Sequence, residues 1–132
     1  MFEDSLIDHP CITVANFRRS RAWYRAALAP LGYELKHEGE HGAGLAAGFG
    51  PRDDEPALLY LLSAVPGRAV GEACPPFRLR AGNREAVRAF HAAALQAGGE
   101  DDGRPGLRAE SGCYAACVLD PDGYSVEVVC DA

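Results

Sequence analysis

Apolar and polar residues change their period along this chain in an order that occurs twice. Ile7–Ala15 (IDHPCITVA) is a short β-rich run ending at Asn16, which is placed to accept a free N–H of a following helix. In Asn16–Gly32 (NFRRSRAWYRAALAPLG) the residues Ser20, Trp23, Tyr24, Ala27, Leu28 and Leu31 form one helical stripe, with Arg18, Arg21 and Arg25 largely off it. Pro30 lies near the helix end and Gly32 stops it. Tyr33–Glu38 and Ala43–Phe49 read as short strands flanking a turn at Gly39–Gly42, and Gly50–Pro56 as a polar loop. Ala57–Leu62 (ALLYLL) is a continuous apolar run too short for a helix, which suits a buried strand.

Ser63–Pro75 carries Pro and Gly without periodicity and reads as a connector. The order then restarts. Pro76–Ala81 (PFRLRA) alternates as a half-buried strand should, and Asn83 caps a second helix with Val87, Phe90, His91, Ala94 and Leu95 on its stripe. Glu100–Gly106 (EDDGRPG) reads as a loop, followed by strands near Leu107–Glu110 and at Cys113–Leu119. A turn at Asp120–Gly123 leads to a strictly alternating strand, Tyr124–Cys130.

The repetition extends to identity. Aligned from Asn16 and from Asn83, an offset of 67, the two helical segments share seven of 17 positions and set Trp23 opposite Phe90. Alanine abundance inflates that score, but the matched Asn and Gly at the ends do not follow from it. Two β-α-β-β-β units are expected, residues 1–66 and 67–132, within a single domain, since about 65 residues would be marginal alone.

Composition narrows the partners. A net charge of -6 and a pI near 5.1 argue against nucleic acid and anionic membrane surfaces. No apolar run reaches membrane-spanning length, and Met1–His9 has neither a basic nor an apolar targeting region, so a cytoplasmic protein is expected. Five cysteines without a CxxC fit reduced thiols better than a disulfide framework.

Three stretches, Asp8 and His9 in the first strand, SRAWYRAALAPLG after it, and YAACVLDPDGYSVEVV at the end, resemble the vicinal oxygen chelate superfamily, the glyoxalase, bleomycin-resistance and extradiol-dioxygenase group. The resemblance spans nearly the whole chain. It implies an α+β fold in which two βαβββ modules form a curled mixed sheet around an open cavity with the helices on the outer face, commonly in a homodimer. Many members hold one divalent ion (Zn, Ni, Mn or Fe) between ligands from the first and last strands of each module, while others only bind a drug or metabolite.

On that resemblance His9 and Glu127 are candidate metal ligands, with Glu127 also a candidate catalytic carboxylate. The 67-residue offset maps His9 onto Pro76 and Glu127 onto Tyr60. Pro76 has no donor, and Tyr60 would ligate only as a phenolate, so two of the four ligand positions lack a usual ligand. His37 and His41, on or beside a hairpin, approach from another direction; an exposed turn histidine is more often solvated.

Strand alternation carries the orientation of His9 and Glu127 to Cys11, Thr13, Tyr60, Leu62, Arg78, Arg80, Ser125 and Val129. The complementary set, Ile12, Val14, Leu59, Leu61, Phe77, Leu79, Val126 and Val128, is wholly apolar and should face the helices. Arg78 and Arg80 are candidate contacts for a small anionic ligand, with Thr13, Tyr60 and Tyr114 as further lining. The competing assignments are an Arg78–Glu127 ion pair across the module interface, Arg80 in solvent, and tyrosines that pack the core. Cys113 and Cys117 show no adjacent base that would make either a nucleophile. Two functions stay open: a metal-dependent lyase or dioxygenase with an incomplete site, and a non-catalytic small-molecule binding protein without metal.

Overall fold

In the computed structural model, residues 11–42, 44–52, 57–65, 70 and 77–131 are described. Cys11–Val14 (β1) leads into a helix at Phe17–Leu28 (α1), a 3-10 turn at Ala29–Leu31, and strands Tyr33–His41 (β2), Gly44–Pro51 (β3) and Leu59–Ser63 (β4). The same order returns as Phe77–Arg80 (β5), a helix at Arg84–Gln96 (α2), Glu100–Leu107 (β6), Cys113–Leu119 (β7) and Ser125–Asp131 (β8). These strands form two open four-stranded sheets, β1-β4-β3-β2 and β5-β8-β7-β6. In each, the first strand runs parallel to the last and the remaining pairs are antiparallel. The fold is α+β, built as two βαβββ modules.

Both helices begin where an asparagine satisfies an otherwise orphaned N–H. Asn16 Oδ1 accepts from Arg19 N at 3.0 Å and Asn83 Oδ1 from Ala86 N at 2.8 Å. Each cap contributes about 1 kcal/mol. The buried stripe comprises Ser20, Trp23, Tyr24, Ala27 and Leu28 on α1 and Val87, Phe90 and Ala94 on α2. It packs on Ile12, Val14, Leu59, Leu61, Leu79, Val126 and Val128, and one core cluster spans both modules. The apolar strand positions therefore face the helices as alternation predicts; the Phe77 side chain lies outside the description.

Two further contacts join the modules. The Trp23 indole N–H donates to the Ala94 carbonyl at 3.1 Å. Gly99 lies against the same indole, where a Cβ would come within 2.9 Å of Trp23 Cζ2. The second helix thus departs from the symmetric ending its sequence suggests. Gly32 (φ +82) turns the first copy, whereas Gly98 (φ +111) turns the second and Gly99 provides the close approach.

The other contact is the Asp120–Gly123 turn, which docks on the junction of β1 and α1. Asp122 carboxylate oxygens accept from Ala15 N and Ser20 Oγ at 3.3 Å, and Tyr124 Oη donates to the Thr13 carbonyl at 2.7 Å. Asp120 is buried and accepts from Tyr24 Oη and from the amides of Asp122 and Tyr124.

Two expected boundaries are corrected. β2 runs through Gly39–His41, shortening the hairpin turn. Glu100–Leu107 is a strand where a loop was expected, and the strand expected near Leu107–Glu110 ends at Leu107. β6 is an edge strand with register shifts between Asp101 and Gly103 and between Gly103 and Gly106. Bulges at an edge accommodate Gly103 and Pro105 and erase the alternation that marks a regular strand.

Candidate functional site

Parallel pairing sets the geometry of the strand faces. Cys11 lies opposite Tyr60 in the first sheet, and Arg78 lies opposite Glu127 in the second. Cys11 and Arg78 are 67 residues apart, as are Tyr60 and Glu127, so the helix offset also holds on these strands. Tyr60 is the structural counterpart of Glu127. The third strands slip by two: Gly48 lies opposite Tyr60, whereas Cys117 lies opposite Glu127. An even slip leaves each side chain on its original face.

The two counterparts are in different environments. Tyr60 is fully buried, with its ring beneath β3, where a Cβ on Gly48 would sit 2.7 Å from Tyr60 Cε1. Thr13 and Leu62, on the same face, are also buried. The first sheet therefore fills this face with side chains. The second leaves charged groups on it: Glu127 Oε1 accepts from Arg78 Nε at 2.8 Å, with the two side chains 26% and 61% exposed. This ion pair joins neighbouring strands of one sheet, not the two modules across an interface. Arg80 does not simply reach solvent, because its Nη2 lies 3.1 Å from Asp131 Oδ1.

Sequence reasoning missed Cys117 and Asp102 as neighbours of Glu127. Cys117 lies opposite Glu127 across β7 and β8, and Asp102 on β6 accepts from Ser125 Oγ at 3.3 Å. Burial first, then the charges of Glu127 and Asp102, push the Cys117 thiol up to about 11, against a smaller opposing effect of Arg108. A thiol so placed stays protonated at neutral pH and is a poor nucleophile. Its position was derivable, because the tight turn at Asp120–Gly123 pairs Leu119 with Ser125 and so Cys117 with Glu127. Asp102 carried no signal, lying in a run without alternation.

The structure does not bring every candidate together. His9 and Pro76 lie outside the described residues. Tyr114 points to the helix side, in the core cluster, with Arg84 Cζ 4.9 Å from its ring centroid. His37 lines a shallow pocket of about 250 Å³ with Glu38, Gly39 and Glu40 on β2, in the other sheet. His41 belongs to the same strand.

These groups do not make a metal cage. Among the described residues no group of three or more His, Cys, Asp or Glu is arranged to hold an ion. A cation at Glu127 would meet the guanidinium already bound to that carboxylate, and the equivalent position in the first sheet holds a buried tyrosine. The described donors do not fit a divalent ion.

Several solved structures share this arrangement. A glyoxalase/bleomycin resistance protein from Albidiferax ferrireducens superposes with a TM-score of 0.72 at 22% identity, covering 92% of this chain and 94% of its own. A glyoxalase I mutant from Zea mays gives 0.71 at 23% identity over 90% of this chain, which spans 44% of that protein. A glyoxylase/bleomycin resistance protein/dioxygenase domain from Frankia sp. gives 0.67 at 12% identity, covering 95% and 96% of the two chains. At these identities the likeness is one of fold. No curated protein matches the sequence. The sequence profile of the Glyoxalase/Bleomycin resistance protein/Dioxygenase superfamily matches residues 6–128, so the chain belongs to that superfamily.

Proposed function

We propose that this protein binds a small organic molecule on the open face of the second sheet and does so without a resident metal. The observation that carries this reading is the Arg78–Glu127 ion pair at the last-strand position where the superfamily resemblance puts a carboxylate ligand. A paired carboxylate is a weak metal donor, because a bound cation must displace a guanidinium that already neutralises it. Arg78 keeps donors beyond its Nε, and its exposure and that of Arg80 support an anionic group on the ligand. Thr13 and Tyr60 then pack the floor of the first sheet and do not touch ligand.

A homodimer and a reducing, cytoplasmic location belong to the same proposal. Open sheets with β2 and β6 at their outer edges support the first, since an unpaired edge favours cover by another chain. Cys113, Cys117 and Cys130 are free thiols, which supports the second. Elemental analysis of protein purified without an affinity tag, with His9→Ala as control, tests the metal-free reading. Stoichiometric metal that disappears in the variant overturns it. Thermal-shift screening against small carboxylates, repeated with Arg78→Glu and Arg80→Glu, tests the ligand class. The expected result is loss of any stabilising shift in the variants; an undiminished shift removes the anion assignment.

A further inference from the structure

A larger opening lies between α2 and the bulged edge strand β6, and reaches the surroundings of Glu127 through Cys117 and Asp102. Its volume is about 710 Å³, within the range of small-molecule sites, and its lining includes Arg88, Asp102, Arg104, Pro105, Arg108 and Tyr114. Register is lost between Gly103 and Gly106, so Arg104 and Pro105 bow out of the ladder and form one wall. Helix α2 supplies Arg88 and His91 on the other.

The charge in this cleft runs against that of the whole chain. In a protein of net charge -6, three arginines line it against one aspartate, Asp102, and Arg84 stands beside Tyr114 at its rim. Among the described residues, none of Arg84, Arg88, Arg104 or Arg108 forms an ion pair with a carboxylate. His91 is already paired, with Nε2 2.9 Å from Asp101 Oδ1.

Two of the arginines are held in place by groups that leave their charge intact. Arg108 Nη2 donates to the Arg104 carbonyl at 2.9 Å and Nη1 to the Gly106 carbonyl at 3.3 Å. Gly103 makes room for it, since a Cβ there would come within 3.2 Å of Arg108 Nη2. Arg88 Nη1 donates to Tyr114 Oη at 3.2 Å, and its Cζ lies 5.9 Å from the Tyr114 ring centroid. Neutral acceptors and a ring face orient a guanidinium without neutralising it, so it meets an anion with little further ordering.

We infer that this cleft is a second binding site, which takes a small organic molecule bearing an oxyanion, a carboxylate or a phosphate, held by Arg88, Arg104 and Arg108. It adjoins the ligand face proposed above through Cys117 and Asp102, but its arginines come from α2, β6 and the residue after β6, and none lies on β5 or β8.

The test is a titration of ¹⁵N-labelled full-length protein with inorganic phosphate and, separately, with succinate, at ionic strength fixed by sodium chloride. Saturable shifts of the Gly103, Arg104, Gly106 and Arg108 amides are expected with at least one anion, and the anion that saturates at lower concentration identifies the oxyanion. Arg88→Gln and Arg104→Gln should each weaken binding about tenfold, the order expected for one charge-assisted hydrogen bond. Arg18→Gln, on the first helix, should leave it unchanged. Both cleft residues are exposed, so neither variant threatens the fold. Absence of saturable shifts with both anions overturns the site, as does binding undiminished in both cleft variants. Shifts produced only by an acidic peptide also overturn it, by making the cleft a protein-docking surface.

Discussion

Tyr24 and Asp120, 96 residues apart in sequence, meet in the core, where the phenol on the first helix donates to the carboxylate that opens the last hairpin turn. Burial raises the Asp120 carboxyl above its usual value, although the hydrogen bonds from Tyr24, Tyr124 and Asp122 oppose that shift. Burial, followed by the Asp120 charge, raises the Tyr24 phenol well above its usual value. Tyr24→Phe keeps the ring but removes a donor from a buried carboxylate. The expected loss is about 1–3 kcal/mol in urea denaturation. A variant as stable as the parent would show that this contact adds nothing to the joining of the modules.

Gly48 is fixed by the ring beneath it. A Cβ there would lie 2.7 Å from Tyr60 Cε1 and 3.0 Å from Ala57 Cβ, against side chains that are fully buried. Gly48→Ala should therefore destabilise by about 1–3 kcal/mol. Gly39→Ala, in open space on β2, should change stability by less than about 0.5 kcal/mol. Equal thermal midpoints for the two variants would contradict this packing.

Much of this architecture could be read from the chain because the signals were local and repeated. Ser20, Trp23, Tyr24, Ala27 and Leu28 announced the buried face of the first helix by spacing alone, and Asn16 and Asn83 announced both helix starts. Alternation placed Leu59, Leu61, Val126 and Val128 on the helix side. What escaped was set by register and by edges. Tyr114 was assigned to the ligand face, yet it lies three residues from Cys117 on one strand and so points to the opposite side. β6 has bulges where alternation would have shown, so neither Asp102 nor the arginines of its cleft were visible as neighbours of β7. The Arg78–Glu127 pair was legible as a competing assignment, but only the parallel register put both residues in one sheet.

Cys117 should respond to alkali in a defined window. Its folded value near 11 exceeds the ordinary thiol value, so its share of stability is intact below the unfolded thiol's pKa of about 8.5. That share is lost as pH rises from there toward 11. Denaturation curves should show stability falling across that window, with a shallower fall in Cys117→Ala. At neutral pH the thiol should react with iodoacetamide more slowly than an unfolded cysteine. Rapid alkylation of Cys117, located by mass spectrometry, would contradict this environment.

The Arg78–Glu127 pair should restrain metal affinity more than it stabilises the fold. With Arg78 61% exposed, screening limits the pair to about 0.2–1 kcal/mol in a double-mutant cycle. Its effect on a cation is larger, since two positive charges about 4 Å apart repel by about 1 kcal/mol in water and about 4 kcal/mol near a protein surface. Arg78→Gln should therefore raise Zn²⁺ affinity by about tenfold or more in calorimetry. Adding Glu127→Gln to that variant should abolish the gain, because the freed carboxylate is then gone. An Arg78→Gln protein that binds Zn²⁺ no better than the parent would show that the ion pair is not what keeps the metal away.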